Sequence, residues 1–181
     1  MARLSKEDWL KEGFKVLSEF AQHKLRILYL CERLGVTRGS FYHHFESIED
    51  YIEQLMQSWE QQNTLQLIEL ANTGEGPKER FQKLNEMVIN LDQSIETAIR
   101  SWSLYHPSVG KSLQKVDDLR LKYLEGLFAQ LGLGTEEAQH RATLEYAILI
   151  GIQQLFPRYK EEQLAALFQV YQQYFSASTK P

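Results

Sequence analysis

Apolar residues in this chain of 181 residues return every three or four positions along almost its whole length. That spacing is the period of an α-helix with one buried face. No stretch shows sustained alternation of apolar and polar residues, and no Asn-Gly or Asp-Gly pair marks a β-hairpin. Ten glycines and four prolines are also too few for a turn-rich β protein. The sequence therefore predicts an all-α protein.

Helix caps and breaks divide the pattern into about nine helices. Ser5 with Asp8 three residues later is close to a capping box, and the first helix would bury Trp9, Leu10, Phe14, Leu17 and Phe20. Gly35 suits a helix C-terminus, while Thr37 and Ser47 suit N-caps. After the first helix, the predicted spans are 27–34, 38–44, 48–72, 78–93, 95–105, 109–131, 136–156 and 161–175.

The composition limits the compartment and the partners. Cys31 is the one cysteine, which excludes an internal disulfide and fits a reducing compartment. Its simplest role is a small buried apolar side chain, and a redox sensor is the alternative. The longest apolar stretch, Ala147–Ile152, is far too short to span a membrane, and the N-terminus lacks a signal-peptide core. We expect a cytoplasmic protein with no membrane partner.

No catalytic constellation is present. The chain lacks a glycine-rich phosphate loop, a zinc-protease motif, a Gly-x-Ser-x-Gly motif and a Cys-x-x-Cys motif. His43 and His44 are adjacent, and neighbouring side chains on a helix point about 100° apart, which does not suit a shared metal ion. The sequence predicts that the protein is no enzyme and holds neither cofactor nor metal.

Residues 26–45 form the segment with the clearest functional pattern. A helix over 27–34 is followed by a tight turn at Gly35 and a second short helix from Arg38. In a helix-turn-helix unit the second helix enters the major groove of DNA and the first lies across the backbone. The same spacing also fits a helical hairpin in a protein core, so the side chains must decide between the two.

The second helix carries side chains suited to DNA. Arg38 can reach guanine or a phosphate, and Ser40 can hydrogen-bond either type of base. Gly39 lets the backbone approach closely. Three further donors suit phosphate oxygens, namely Tyr42, His43 and His44. Phe41 and Phe45 would face inward.

The segment resembles the TetR family of transcriptional regulators. The residues that carry the resemblance are Leu34-Gly35-Val36-Thr37-Arg38-Gly39-Ser40-Phe41-Tyr42-His43-His44-Phe45, with Trp9-Leu10 and Gly13 upstream and the stretch down to Trp59. This similarity covers about the first third of the chain. A looser similarity to one type of the family's ligand-binding half runs through Trp102–Tyr105, Val116-Asp117, Arg120, Gly132-Leu133 and 138–146.

The resemblance implies two domains, a helix-turn-helix DNA-binding domain over 1–47 and a helical effector-binding and dimerisation domain over 48–181. It implies a homodimer that binds a palindromic operator on double-stranded DNA and is released by a small-molecule effector, most often as a repressor. Such a protein would be associated with the nucleoid when bound. The DNA face implied by the family is Arg26, Thr37, Arg38, Gly39, Ser40, Tyr42, His43 and His44.

A small apolar or aromatic effector is expected among the C-terminal helices. Its candidate pocket residues are Trp59, Trp102, Tyr105, Tyr123, Phe128 and Tyr146, although aromatic residues at helical spacing are more often plain core. The last two helices have apolar faces that are too wide for a monomer, notably around Ile148 and at Leu164, Leu167, Phe168, Tyr171 and Phe175. They suit a homodimer interface, and a single deep core is the alternative.

Three features favour a second function, a dimeric helical module that binds a small molecule or a protein and has lost most of its DNA binding. Many family members have Thr or Ser at the position of Arg26 and Lys at the position of Ile48. Acidic Glu46, Glu49 and Asp50 also follow the second helix of the motif. Residues 1–47 carry eight Lys and Arg against six Asp and Glu, a net charge of +2, whereas 48–181 carry −6.

Overall fold

A computed structural model of the protein describes residues 4–156, 159 and 161–176, with side chains of the last helix described at 162–167, 169 and 170. Nine helices and no strand occur over those residues, so the all-α prediction is confirmed. Their bounds are α1 Lys6–Phe20, α2 Ile27–Leu34, α3 Arg38–Tyr42, α4 Ile48–Glu60 with its continuation Gln61–Leu65 and Gln66–Ala71, α5 Pro77–Ile89, α6 Gln93–Ser103, α7 Pro107–Gln130, α8 Thr135–Leu155 and α9 Glu161–Ser176. None of the described helices is long and apolar enough to cross a lipid bilayer.

Three of the predicted helix ends have the expected local chemistry. The Ser5 hydroxyl accepts from the Asp8 amide while the Asp8 carboxylate accepts from the Ser5 amide, which completes a capping box. Ser47 caps α4 by accepting from the Asp50 amide at 3.0 Å. Gly35 closes α2 in the left-handed region at φ 66°, where a residue with a Cβ is disfavoured.

The N-terminal helices pack around a cluster of aromatic rings. Trp9 of α1 contacts Phe41 edge-on at 5.4 Å between centroids, and Tyr51 of α4 contacts Phe45 at 4.9 Å. All four side chains are almost completely buried. The Tyr51 hydroxyl donates to the Trp9 carbonyl at 2.8 Å, so the polar end of the ring is satisfied. Burial also raises the pKa of Tyr51, which keeps the phenol neutral.

A glycine in α1 makes this packing possible. An ideal Cβ at Gly13 would lie 2.1 Å from the Tyr51 hydroxyl oxygen and 3.1 Å from a Leu55 methyl carbon. Helix α1 can therefore approach α4 closely only because residue 13 has no side chain.

Helix α4 is long and contains an irregular turn. It consists of α-helical Ile48–Glu60, a π-helical turn Gln61–Leu65 and α-helical Gln66–Ala71. Its first part contributes Tyr51 and Leu55 to the N-terminal core, and its last part buries Leu67 under the C-terminal helices. One continuous rod thus joins the two halves of the chain. The sequence predicted its length but not the π turn.

The C-terminal helices form a second, smaller core. Helix α7 lies against α4, α5, α6 and α8, and α9 contacts α5. The core between α7 and α8 contains Leu124, Phe128, Ala138, Ala142 and Tyr146. The start of α7 belongs instead to the N-terminal core, through Val109 and Leu113.

Some sequence expectations are corrected. Helix α3 ends at Tyr42 rather than His44, because the amides of His44 and Phe45 both turn back to the Phe41 carbonyl. Thr37 precedes α3 in an extended conformation, but its side chain makes no capping hydrogen bond. Phe20 is 37% exposed because α1 ends there, and its ring packs on Tyr29 at the surface. The predicted stripe residues Phe168, Tyr171 and Phe175 lie outside the described side chains.

Substituting Gly13 with Ala should destabilise the protein. The new methyl group would displace Tyr51 or separate α1 from α4, and such overpacking costs about 1–3 kcal/mol. The free energy of unfolding in urea measures the effect. Gly126→Ala is the matched control, because nothing lies within 4 Å of its Cβ position and alanine favours the helix by about 0.5–1 kcal/mol. Equal stability changes for the two variants would contradict the packing described here.

Candidate nucleic-acid interface and internal cavity

Most of the side chains predicted to meet DNA are on the surface. Ser40 and His44 are half-buried, while the other members of the set are exposed. They come from the start of α2, the turn before α3, α3 itself and the residues just after it. The exposed members are Arg26, Thr37, Arg38, Gly39, Tyr42 and His43.

The inward side of α3 holds this surface in place. Phe41 and Phe45 are buried in the aromatic cluster, with their ring centroids 5.2 Å apart. A helix of five residues has no stability of its own, so tertiary packing must supply it. Residues 38–45, called the α3 segment here, are therefore anchored by these two buried rings, while Arg38, Tyr42 and His43 remain exposed.

Helix α2 is fixed to α1 by an arginine. Arg33 donates through Nε to Glu12 and through Nη1 and Nη2 to Glu19. The hydrogen bond to Glu19 is the main reason that the pKa of Arg33 is raised, and Arg33 in turn lowers the pKa of Glu19. The two helices that precede α3 are thus joined by charge as well as by apolar contact.

Both positive and negative side chains lie beside the exposed side of α3. Lys6, at the start of α1, lies over the Phe45 ring at 5.5 Å from its centroid, which brings a cation beside the end of the α3 segment. Asp50 is occupied, because its carboxylate accepts from Gln54 and from the Glu46 amide, and these bonds lower its pKa. Glu46 and Glu49 are exposed. Ile48 packs on the N-terminal core rather than pointing away from it.

A cavity opens among α4, α5, α6, α7 and α8. The space between the atoms of its wall, together with its opening to solvent, amounts to about 780 Å³. The apolar part of its wall comprises Leu67, Ile68, Leu84, Val88, Leu91, Leu124 and Leu149. The polar part comprises Asn63, Thr64, Asn85, Asp92, Gln93, Glu96, Arg120, Tyr123, Glu145, Tyr146 and Gln153.

Two of the six aromatic residues predicted for a pocket line this cavity, Tyr123 and Tyr146. The remaining four do not line it. Tyr105 is 81% exposed at the end of α6, and Phe128 packs on Phe81 in the second core. Trp59 and Trp102 belong to the N-terminal core. Trp59 still lies near the cavity, because the Arg120 guanidinium stacks over its ring at 5.2 Å.

Part of the polar wall belongs to a mostly buried cluster of charges. Arg120 donates to Glu96 through both Nη atoms at 3.1–3.2 Å, and Arg100 donates to Asp117 at 2.7 Å. Arg100 also donates to Glu96, so the four side chains form a neutral set of two cations and two anions. The Tyr146 hydroxyl accepts from both arginines and donates to Asp117 at 2.6 Å.

The same arginine holds the π turn of α4. Arg120 Nε donates to the Thr64 hydroxyl at 3.0 Å, and Nη2 donates to the Asn63 carbonyl at 3.2 Å. Burial alone would lower the pKa of Arg120, but Glu96 raises it, so the guanidinium stays charged. Burial raises the pKa of Tyr146 to about 12, and the phenol therefore keeps its proton at neutral pH.

Sequence reasoning missed several residues of the cavity. Leu84, Val88 and Leu91 lie at helical spacing, which is equally typical of a plain core, but they are only partly buried because they face the cavity. The sequence does not predict that Gln153 and Asn85 line a cavity, because an isolated amide side chain in a helix is typical of the protein surface. Arg120 belongs to the looser similarity to the family's ligand-binding half, but the sequence did not predict it as a pocket residue. Its hydrogen-bond partners Thr64 on α4, Glu96 on α6 and Tyr146 on α8 are far apart in the sequence, so no local pattern connects them with Arg120.

Replacing Arg120 with Met should destabilise the protein strongly. The variant would remove the guanidinium that donates to both carboxylate oxygens of buried Glu96 and leave it only Arg100, and breaking a buried ion pair typically costs about 3–5 kcal/mol. Lys115→Met is the control, because Lys115 is exposed and its ion pair with Glu60 is worth about 0–1 kcal/mol. Urea denaturation of the two variants compares them. A similar loss in both would show that the Arg120 cluster is not a stabilising element.

Solved structures share this arrangement of helices. A TetR transcriptional regulator from Legionella pneumophila is 17% identical, with a TM-score of 0.80 over 96% of this chain and 98% of that one. A transcriptional regulator from Rhodococcus sp. Rha1 is 21% identical, with a TM-score of 0.75 over 89% of this chain and 90% of that one. A regulator from Saccharomonospora viridis, in complex with choline, is 14% identical, with a TM-score of 0.74 over 93% and 95%.

The sequence itself matches no protein-family model and no curated protein. The structural similarity extends over nearly the whole chain, from the helix-turn-helix segment to the last helices. The protein therefore has the fold of the TetR-type transcriptional regulators, with an N-terminal helix-turn-helix and a C-terminal helical domain, as the resemblance in its sequence predicted.

Proposed function

We propose that the protein is a ligand-responsive transcriptional regulator of the TetR type that acts as a repressor. The observation that carries the proposal is the α3 segment, whose Phe41 and Phe45 are buried while Arg38 and Tyr42 are exposed. A buried hairpin would hide both sides of α3. Exposed cationic and hydroxyl groups on a firmly packed short helix are what readout in the major groove requires.

We propose further that it acts as a homodimer on a palindromic operator. Helix α8 has an apolar stripe at spacings of three and four, in which Leu144 at 52% exposure, Ala147 and Leu155 are exposed and Ile148 and Gly151 are half-buried. Leu167 and Val170 are exposed on α9. A second copy of this chain would cover both faces in a four-helix arrangement. Two α3 segments could then meet the DNA about 34–36 Å apart, one turn of the double helix.

The cavity is the proposed effector site, and α4 connects it to α3. Tyr51 near the start of α4 contacts Phe41 and Phe45, while Asn63 and Thr64 near its end line the cavity. A ligand that moves the end of α4 would therefore change the position of α3. Coupling of about 1–3 kcal/mol would weaken operator binding by about 5–150-fold. The choline complex of the Saccharomonospora protein supports a small-molecule ligand in this fold.

Binding to DNA tests the first part. Arg38→Ala should weaken binding to a labelled duplex from upstream of the protein's own gene by about 1–3 kcal/mol, if the guanidinium contacts a base. Tyr42→Phe should have a smaller effect, through one lost phosphate contact. Fluorescence anisotropy at several salt concentrations measures both. Lys122→Ala removes an exposed cation from α7 and should leave binding unchanged.

Unchanged affinity of Arg38→Ala would show that this residue does not contact DNA.

The second candidate function is a dimeric binding module with little DNA binding. It is favoured by the exposure of Glu46 and Glu49 beside the α3 segment. Retention on heparin and on random DNA at low salt separates the two functions, since nonspecific binding depends on positive charge. No retention at all would contradict the regulator and support the binding module.

Sedimentation equilibrium tests the dimer. The protein should have twice the mass of one chain at micromolar concentration, and Leu144→Glu should shift it to a single chain by placing a charge in an apolar interface. Leu104→Glu is the matched control, because Leu104 is 75% exposed between α6 and α7 and should leave the dimer intact. A single chain at every concentration for the unsubstituted protein would refute the homodimer.

A further inference from the structure

Two buried amide atoms on the cavity wall have no hydrogen-bond partner. Gln153 of α8 is 6% exposed and lines the cavity, and its Oε1 has no hydrogen-bond partner. The buried Nδ2 of Asn85 on α5, which also lines the cavity, has none either. A buried polar atom without a partner costs about 1–3 kcal/mol, so the protein carries a penalty that a polar group of a ligand would relieve.

The charged groups of the same wall are already engaged. Arg120 is the one cation among the described residues that line the cavity, and its Nε and both Nη atoms donate to protein oxygens. Glu96 accepts from Arg120 and Arg100. Asp92 accepts from Ser94 and Ser18, and Glu145 lies 3.8 Å from the guanidinium of Arg141. Each lining charge therefore has an opposite charge or hydrogen-bond donors beside it.

We propose that the cavity takes an uncharged ligand with an apolar body and one carboxamide or hydroxyl group, which hydrogen-bonds Gln153. This inference rests on the proposed effector role of the cavity and names the chemical class of that effector. Gln153 Oε1 is an acceptor without a donor and Asn85 Nδ2 is a donor without an acceptor, so a ligand group that both donates and accepts matches this wall. The leucine and valine wall buries the apolar body.

An ionised ligand fits this site poorly. A carboxylate would have to leave water without gaining a cation, because the donors of Arg120 are bound to Glu96, Thr64 and Asn63. An ammonium group would likewise have to compete with Arg141 for Glu145 or with the two arginines for Glu96. Burying an unpaired charge costs more than burying a neutral hydrogen-bonded group.

Three probes of equal length test the class: hexanamide, hexanoate and hexylammonium. Their dissociation constants are measured by ligand-observed NMR on the full chain at pH 7 without DNA. Hexanamide should bind about tenfold more tightly than either ion. Tighter or equal binding of hexanoate or of hexylammonium would overturn the inference, and so would the absence of binding by all three.

A pair of variants on neighbouring positions locates the interaction. Gln153→Leu keeps the approximate size of the side chain and should weaken hexanamide binding about tenfold, while Gln154→Leu should not change it. Gln154 is exposed and its amide points to Thr97 at 3.5 Å, outside the cavity wall. Equal effects of both variants would overturn the role of Gln153. If Gln153→Leu fails to fold, the ranking of the three probes decides alone.

These measurements fail separately from those of the proposed function. If the unsubstituted protein did not bind DNA, the ranking of the three probes would be unaffected, because the probe measurements contain no DNA. Conversely, preference for a charged probe would leave the DNA-binding face of Arg38 and Tyr42 untouched. Only the chemical class of the effector would then be wrong.

Discussion

The display of α3 depends on the aromatic packing of Trp9, Phe41, Phe45 and Tyr51. Five helical residues cannot hold their own conformation in water, so burial of two phenylalanines is what fixes the direction of Arg38 and Tyr42. The hydroxyl of Tyr51 adds a hydrogen bond that also fixes the distance between α1 and α4. Because Tyr51 lies on the helix that reaches the cavity, this packing connects α3 to the C-terminal half of the chain through α4.

The C-terminal half rests on a different kind of interaction. Arg120 joins α7 to α4, α6 and α8 through hydrogen bonds to Thr64, Glu96 and Tyr146. A neutral buried cluster of this kind stabilises only when each member is satisfied, and here each of the paired charges is. It has a second effect on recognition, because a guanidinium that is fully occupied by the protein is not available to a ligand.

The sequence predicted the fold class, the helix order and the outward side of α3, because these depend on local periodicity, caps and turn residues such as Ser5, Gly35 and Ser47. It predicted the cavity poorly. Tyr123 and Tyr146 line it, whereas Tyr105 is exposed and Trp102 is in the other core. The cavity is the space that five helices leave between them, and the polar residues Gln153 and Asn85 on its wall differ in no local way from surface amides.

The π turn at Gln61–Leu65 changes the register of α4. The buried positions are 51, 52, 55, 56 and 59 before the turn, 64 within it, and 67 and 71 after it, so the step from 59 to 64 is one residue longer than an α-helix allows. In a relative with a regular helix here, the inward residues of the last part would come one position earlier. An ungapped alignment of the two sequences across α4 would then pair a solvent-facing residue of one protein with a cavity residue of the other.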